Sequence, residues 1–252
     1  MFRGFPGRSK STEIAAIGLG TGSVAAYGEP GRKLTFYEID PKVRRIAENP
    51  NYFTYLTDCK ADKLSFEMGD ARLMMARNGQ AGQYAVIIVD AFSSDAIPMH
   101  LLTKEAVEMY LSRLAEGGIL CIHISNRYLD LEPIAGRIAQ ELGLVGVTQS
   151  DSDSYEPFGD EKIPGKQTSV WVMLARKSED LERLTNQPAE VDYMGRAVKL
   201  TEWTPVKVKV PPPTWSNRKA SDEQDSPLWT DDFSNLIQAV TAFQKSKSSS
   251  ED

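Results

Sequence analysis

Cysteine is scarce in this 252-residue chain: Cys59 and Cys121 are the only two, with no CxxC spacing and no histidine pattern beside them. That count supports neither a zinc knuckle nor a dithiol redox motif, and two buried, reduced thiols are the expectation. Histidine is equally sparse. His100 and His123 have no metal-ligand spacing, so no metal is expected, and structural roles are the safer assignment for both. No apolar run approaches the ~20 residues needed to cross a bilayer. The opening MFRGFPGRSKSTE lacks the apolar core of a signal peptide, so a cytoplasmic chain with no membrane insertion is expected. No GK[ST] occurs, which removes the lysine of a phosphate loop. Cationic excess is missing too: the net charge of −6 argues against a nucleic-acid face and suits a small cationic ligand.

What is present alternates. Short apolar or β-branched runs at residues 14–19, 33–39, 64–70, 84–90, 118–125, 144–150 and 169–176 read as seven strands. YAVIIVD, at 84–90, is apolar at nearly every position, as a strand covered on both faces must be. Helical patterns fall between several of them. Pro41 opens one over 41–47, Thr103 caps a second that Gly117 and Gly118 should stop, and a third runs over 131–142 before Gly143. Strand and helix in alternation predict an α/β fold, a mostly parallel sheet with helices on both faces. The last two strands are joined by the polar stretch 151–167 without a helical pattern, which predicts antiparallel pairing. Residues 178–184 suggest one more helix. Residues 190–226, with PPP at 211–213, read as an extended wrap or linker, 226–243 as a capped helix, and KSKSSSED as a disordered tail. The expected division is a short segment 1–13, a cofactor-binding domain 14–176 and an extension 177–252.

GLGTG, residues 18–22, stands where the first strand should turn into a helix. Gly18, Gly20 and Gly22 allow a tight turn and close approach of a ligand to the backbone. Glu38 lies twenty residues after Gly18 at the end of the second strand, where an acid accepts both hydroxyls of a ribose. Asp70, in GDAR after the third strand, is placed to accept from an adenine amino group. Three such features at successive strand ends favour an adenosine site over isolated turn residues and helix caps. The GxGxG spacing differs from the dinucleotide pattern, which favours a sulfonium cofactor over a nicotinamide. YAVIIVDAFSSDAIPMH then sets Asp90 and Asp95 just beyond the fourth strand. Either they cap a turn through local backbone N–H groups, or they handle a cationic substrate.

AAIGLGTGSVAAYGEPG, FYEIDP, GDAR, VDAFSSDAIPMHLLTKEA, HISNRYLDL and WTDDFSNL together resemble the spermidine synthase-like family. The resemblance is to the soluble domain often fused to a membrane transporter-like half in bacteria, and it covers residues 14–176 and 229–236. It implies a class I S-adenosylmethionine-dependent methyltransferase-like, Rossmann-like fold used for aminopropyl transfer in polyamine biosynthesis. Decarboxylated S-adenosylmethionine or S-adenosylmethionine would be the co-substrate, and putrescine or a related amine the acceptor. By position, Glu38 would hold the ribose, Asp70 with Ala71 the adenine, Asp90 would face the attacking amine, and Asp95 would contact the polyamine. Tyr84, Tyr128 and His123 are candidates to wall or polarise that pocket. Related enzymes are commonly homodimers, although no feature here specifies an interface. The chemistry of two carboxylates fits an amine with a pKa near ~10, which must lose a proton to attack.

Three features depart from the family. Its aminopropyltransferases carry an acid in the glycine loop where this chain has Thr21, and many methyltransferases carry one where it has Ala16. Family members also have an N-terminal β-hairpin region, and about a dozen residues precede Ile14 here. Three readings therefore stand: aminopropyl transfer first, then methyl transfer to another acceptor, or an adenosine-ligand-binding module without catalysis.

Overall fold

The computed structural model describes residues 9–91, 98–126, 129–151, 168–186, 190–193, 196–199, 202–206 and 228–232. Asp95, Tyr128, the PPP run, the capped helix expected over 226–243 and the tail lie outside or almost wholly outside these residues.

Seven strands follow the apolar runs: β1 Glu13–Ile17, β2 Lys33–Glu38, β3 Lys63–Met68, β4 Tyr84–Val89, β5 Leu114–His123, β6 Val145–Asp151 and β7 Ser169–Ala175. The helices are α1 Pro41–Ala47, α2 Ala71–Asn78, α3 Lys104–Arg113, α4 Glu132–Glu141 and the short α5 Glu182–Thr185. The stretch expected to be a linker supplies a separate antiparallel hairpin, β8 Glu190–Tyr193 with β9 Arg196–Lys199, and an edge strand β10 Thr204–Pro205. The main sheet therefore has eight strands rather than seven, in the order β10-β6-β7-β5-β4-β1-β2-β3. β1 to β5 pair parallel, β7 runs antiparallel between β5 and β6, and β10 is antiparallel to β6.

Other expectations need adjusting. GLGTG leads into a 3-10 helix, Ser23–Tyr27, rather than an α-helix. α2 had no clear pattern in the sequence, and α3 ends at Arg113 because β5 begins at once. Gly117, at φ 69, lies where the β4–β5 register shifts. The region over 178–184 splits into a 3-10 turn and α5. Both thiols are free, but only Cys121 is buried, where burial pushes its pKa up.

Period-two alternation builds two cores. Ala15, Ile17, Ile87, Val89, Leu120 and Ile122 face α2, α3 and α4, whereas Ala16, Val86, Ile88, Ile119 and Cys121 face α1 and α5. All six residues of β4 are buried, each large aliphatic contributing about 1.5–3 kcal/mol. The order β4-β1-β2 puts the point where the chain reverses direction across the sheet between β1 and β4. A crevice opens there beyond the carboxyl ends of the strands.

The far end of the chain returns to that crevice. Trp229 is 0% exposed in the core beside α3, and its carbonyl accepts the first N–H of that helix, from Lys104, at 2.8 Å. Thr103 caps α3, accepting from Ala106 N–H at 3.2 Å while its own hydroxyl donates to Asp231 at 2.9 Å. Asp231 also takes a two-pronged contact from Arg72, at 2.6 and 2.5 Å, and Arg72 donates in addition to the His100 carbonyl. Two outcomes are expected. Trp229→Ala costs about 3–5 kcal/mol of stability by denaturant titration. Trp229→Phe costs markedly less, because the indole N–H has no partner among the described residues. The Arg72 guanidinium holds the Asp231 carboxyl below its ordinary value, which is about 4. Such a group stabilises the fold above that ordinary value, and the contribution is lost as pH falls through the lowered one. The protection factors of the amides at residues 229–232, taken against the intrinsic exchange rate at each pH, should therefore fall as pH drops below about 4, by a modest factor since the pair is partly exposed, and Asp231→Asn should remove that acid dependence.

Candidate active site

The crevice is a cavity of about 370 Å³ lined by Gly18, Gly20, Glu38, Asp70, Ala71 and Asp90, together with Ile17, Tyr37, Ile39, Asp40, Val43, Gly69, Ala91, Pro98, His100 and Leu101. Four of these side chains are carboxylates and none is lysine or arginine. A concave acidic surface of this kind attracts cations and repels polyphosphates.

Gly18 sits at φ 94 with its N–H on the Tyr37 carbonyl at 2.9 Å. A Cβ there would collide with the carbonyl of Asp90, so glycine is required by the approach of β1 to β4 as well as by any ligand. Gly20 faces open space. Gly22 is not among the lining residues; it sits at φ 83 against Leu56 and heads the 3-10 turn.

Glu38 is 8% exposed and spans two loops. One oxygen accepts from Leu19 N–H at 3.0 Å in the glycine loop, the other from Asp40 N–H at 2.8 Å. A carboxylate offers about four lone-pair sites, so two remain for hydroxyl donors. Asp70 caps α2 by accepting from Leu73 N–H at 2.9 Å, and its second oxygen lies 3.1 Å from His100 Nε2. Cap and cavity wall are thus one residue.

Asp90 follows directly on β4, its N–H on the Ile17 carbonyl at 2.9 Å. Its Oδ1 lies 2.8 Å from His123 Nδ1. His123 lines a small neighbouring pocket that shares Ala91, Pro98 and Leu101 with the larger cavity. It stacks on Trp171, with ring centroids 4.7 Å apart.

Tyr84 does not reach the cavity. It opens β4, whereas Asp90 follows its end, and six residues at ~3.3 Å each separate them by about 20 Å. Its side chain is buried, with its hydroxyl on that of Tyr37 at 2.8 Å, and burial raises both phenol pKa values. Tyr37, not Tyr84, lines the cavity, as a neutral phenol. Asp95 lies outside the described residues.

His100, Ile39, Val43, Pro98 and Leu101 are cavity residues that sequence reasoning missed. An apolar residue between two acids, as in EID, was the available signal for Ile39, which is 68% exposed. His100 had none, since its wall position depends on Arg72 and Asp231. Among the described residues no cluster of three or more metal-ligating side chains occurs, and no helix is long and apolar enough to cross a membrane.

No family model matches the chain. Over 115 residues, 44% of its length, it is 38% identical to a polyamine aminopropyltransferase from Vibrio vulnificus, and the match spans 37% of that relative. Similar solved structures include a probable spermidine synthase from Corynebacterium glutamicum (16% identity, 83% of this chain and 75% of that one, TM-score 0.48). Another is spermidine synthase from Thermotoga maritima (16% identity, 71% and 60%, TM-score 0.47). Over the matched segment, the sequence of this chain is similar to that of a polyamine aminopropyltransferase.

Proposed function

We propose that the chain transfers an aminopropyl group from decarboxylated S-adenosylmethionine to putrescine or a related small amine, releasing methylthioadenosine. The observation that carries this reading is the acidic cavity at the β1/β4 crevice, whose carboxylates sit at three strand ends in the order an adenosine sulfonium and an amine would need. Glu38 would take the ribose hydroxyls on its remaining lone pairs. Asp70 and Ala71 would flank the adenine, with Ile39 and Val43 covering its apolar face.

Asp90 would meet the acceptor. An amine nitrogen with a free lone pair attacks the propyl carbon bound to sulfur; the new C–N bond forms as the C–S bond breaks, and the electron pair leaves with sulfur as a neutral thioether. The nitrogen sheds one proton, which Asp90 takes and passes to water. A carboxylate is a far weaker base than an amine, so the larger part of Asp90 is to hold the nitrogen in line. The 38% match to a polyamine aminopropyltransferase supports the same reaction. Thr21 and Ala16, where related enzymes carry acids, leave the cofactor's tail to be identified by its product.

The deciding experiment supplies purified protein with S-adenosylmethionine, its decarboxylated form and a panel of diamines and polyamines, then identifies the released nucleoside by mass spectrometry. Methylthioadenosine with an elongated amine is expected. S-adenosylhomocysteine would instead mean methyl transfer, and both cofactors left intact by folded protein would mean a binding module. Asp90→Asn should lower kcat by about a hundredfold or more, because an amide nitrogen facing the amine cannot take its proton; full turnover would remove Asp90 from the reaction. Glu38→Gln should raise the KM for the nucleoside at least about tenfold, the worth of one hydrogen bond to a charged group.

A further inference from the structure

Asp90 is held from behind by a chain of hydrogen bonds that begins on the neighbouring strand. The N–H of Val170, in β7, donates to Ser125 Oγ at 2.7 Å. Ser125 Oγ lies 2.6 Å from His123 Nε2, and His123 Nδ1 lies 2.8 Å from Asp90 Oδ1. The directions of these bonds follow from chemistry. A carboxylate only accepts, so Nδ1 must carry the proton. In the neutral imidazole Nε2 is then an acceptor, and the Ser125 hydroxyl, already accepting from Val170, has its own proton to donate. The ring plane is fixed independently by the Trp171 stack, at 18° between planes, and His123 and Trp171 are direct partners in the β5–β7 pairing.

We infer that His123 is a positioning residue, locked by Ser125 as its Nδ1–H tautomer so that it pins one oxygen of Asp90 and presents the other to the cavity. Among the described residues, Asp90 Oδ2 accepts no hydrogen bond, and Asp90 itself lines the cavity while His123 does not. His123 therefore acts through Asp90. Without the pin the carboxylate rotates about χ2 and offers either oxygen in a range of directions; with it, a single acceptor oxygen faces the amine. A reacting nitrogen needs such a fixed partner to stay in line with the sulfonium carbon. The kinetic consequence rests on the aminopropyl-transfer reading, whereas the tautomer does not.

The test begins with the unmodified full chain labelled with 15N-histidine. Its two histidines give two ring-nitrogen patterns in long-range proton–nitrogen correlation spectra, and His100→Gln identifies which belongs to His123. An Nδ1–H pattern for His123 is expected, shifting toward Nε2–H in Ser125→Ala. An Nε2–H pattern in the unmodified chain overturns the proposal, as does a tautomer indifferent to Ser125. Kinetics form the second arm. His123→Ala and Ser125→Ala should lower kcat about tenfold to a hundredfold, as removal of an orienting partner does elsewhere, with the nucleoside KM unchanged. His123→Asn, whose amide nitrogen reaches the place of Nδ1, should recover more of kcat than His123→Gln, which reaches the place of Nε2. Equal rates for the two, or a loss confined to KM, would overturn the positioning role. An Nδ1–H tautomer in a chain that releases no methylthioadenosine supports the hydrogen-bond assignment and refutes aminopropyl transfer instead.

Discussion

The end of β1 lies so close to the end of β4 that the carbonyl of Asp90 occupies the space a side chain at residue 18 would need. Everything in the crevice is arranged around that contact. Gly18 bonds sideways to the Tyr37 carbonyl of β2, Asp90 bonds back to the Ile17 carbonyl of β1, and Glu38 ties the glycine loop to the start of α1. Three strand ends are thereby fixed to one another through backbone groups, and the acidic side chains they carry inherit fixed positions. The wholly buried β4 behind them supplies the rigidity.

Carboxylates here serve the fold and the cavity together. Asp70 stops the unpaired N–H groups of α2 and still faces the crevice; Glu38 satisfies two loop N–H groups and keeps lone pairs to spare. A helix cap and a ligand contact, which seem rival explanations of one acid in a sequence, need different lone pairs of the same group.

Strand positions were legible because apolar alternation survives in one dimension: all seven long strands lie where their runs predicted, including the antiparallel β7. β10 was illegible, since two residues, Thr204 and Pro205, carry no period and gain strand geometry only by lying along β6. α2 was hidden because ARLMMARN spreads its apolar residues around the helix, leaving Leu73 61% exposed. At the site, the acids at the strand ends could be read from position alone. Tyr84 could have been set aside on strand length, while the wall position of His100 and the bond from His123 to Asp90 depend on contacts between segments distant in sequence, for which local pattern has no signal.

The pairing of Arg72 with Asp231 joins residues 159 positions apart. During synthesis the chain emerges from its N-terminal end, so β1 to β7 are available to pair long before Trp229 and Asp231 leave the ribosome. Until then the first N–H of α3 lacks its acceptor, and the segment that carries His100 lacks the guanidinium brace that Asp231 orients. Assembly of the sheet and completion of the crevice are thus separated in time, and a nascent chain passes through an interval in which the carboxylates are in place but the wall opposite them is not.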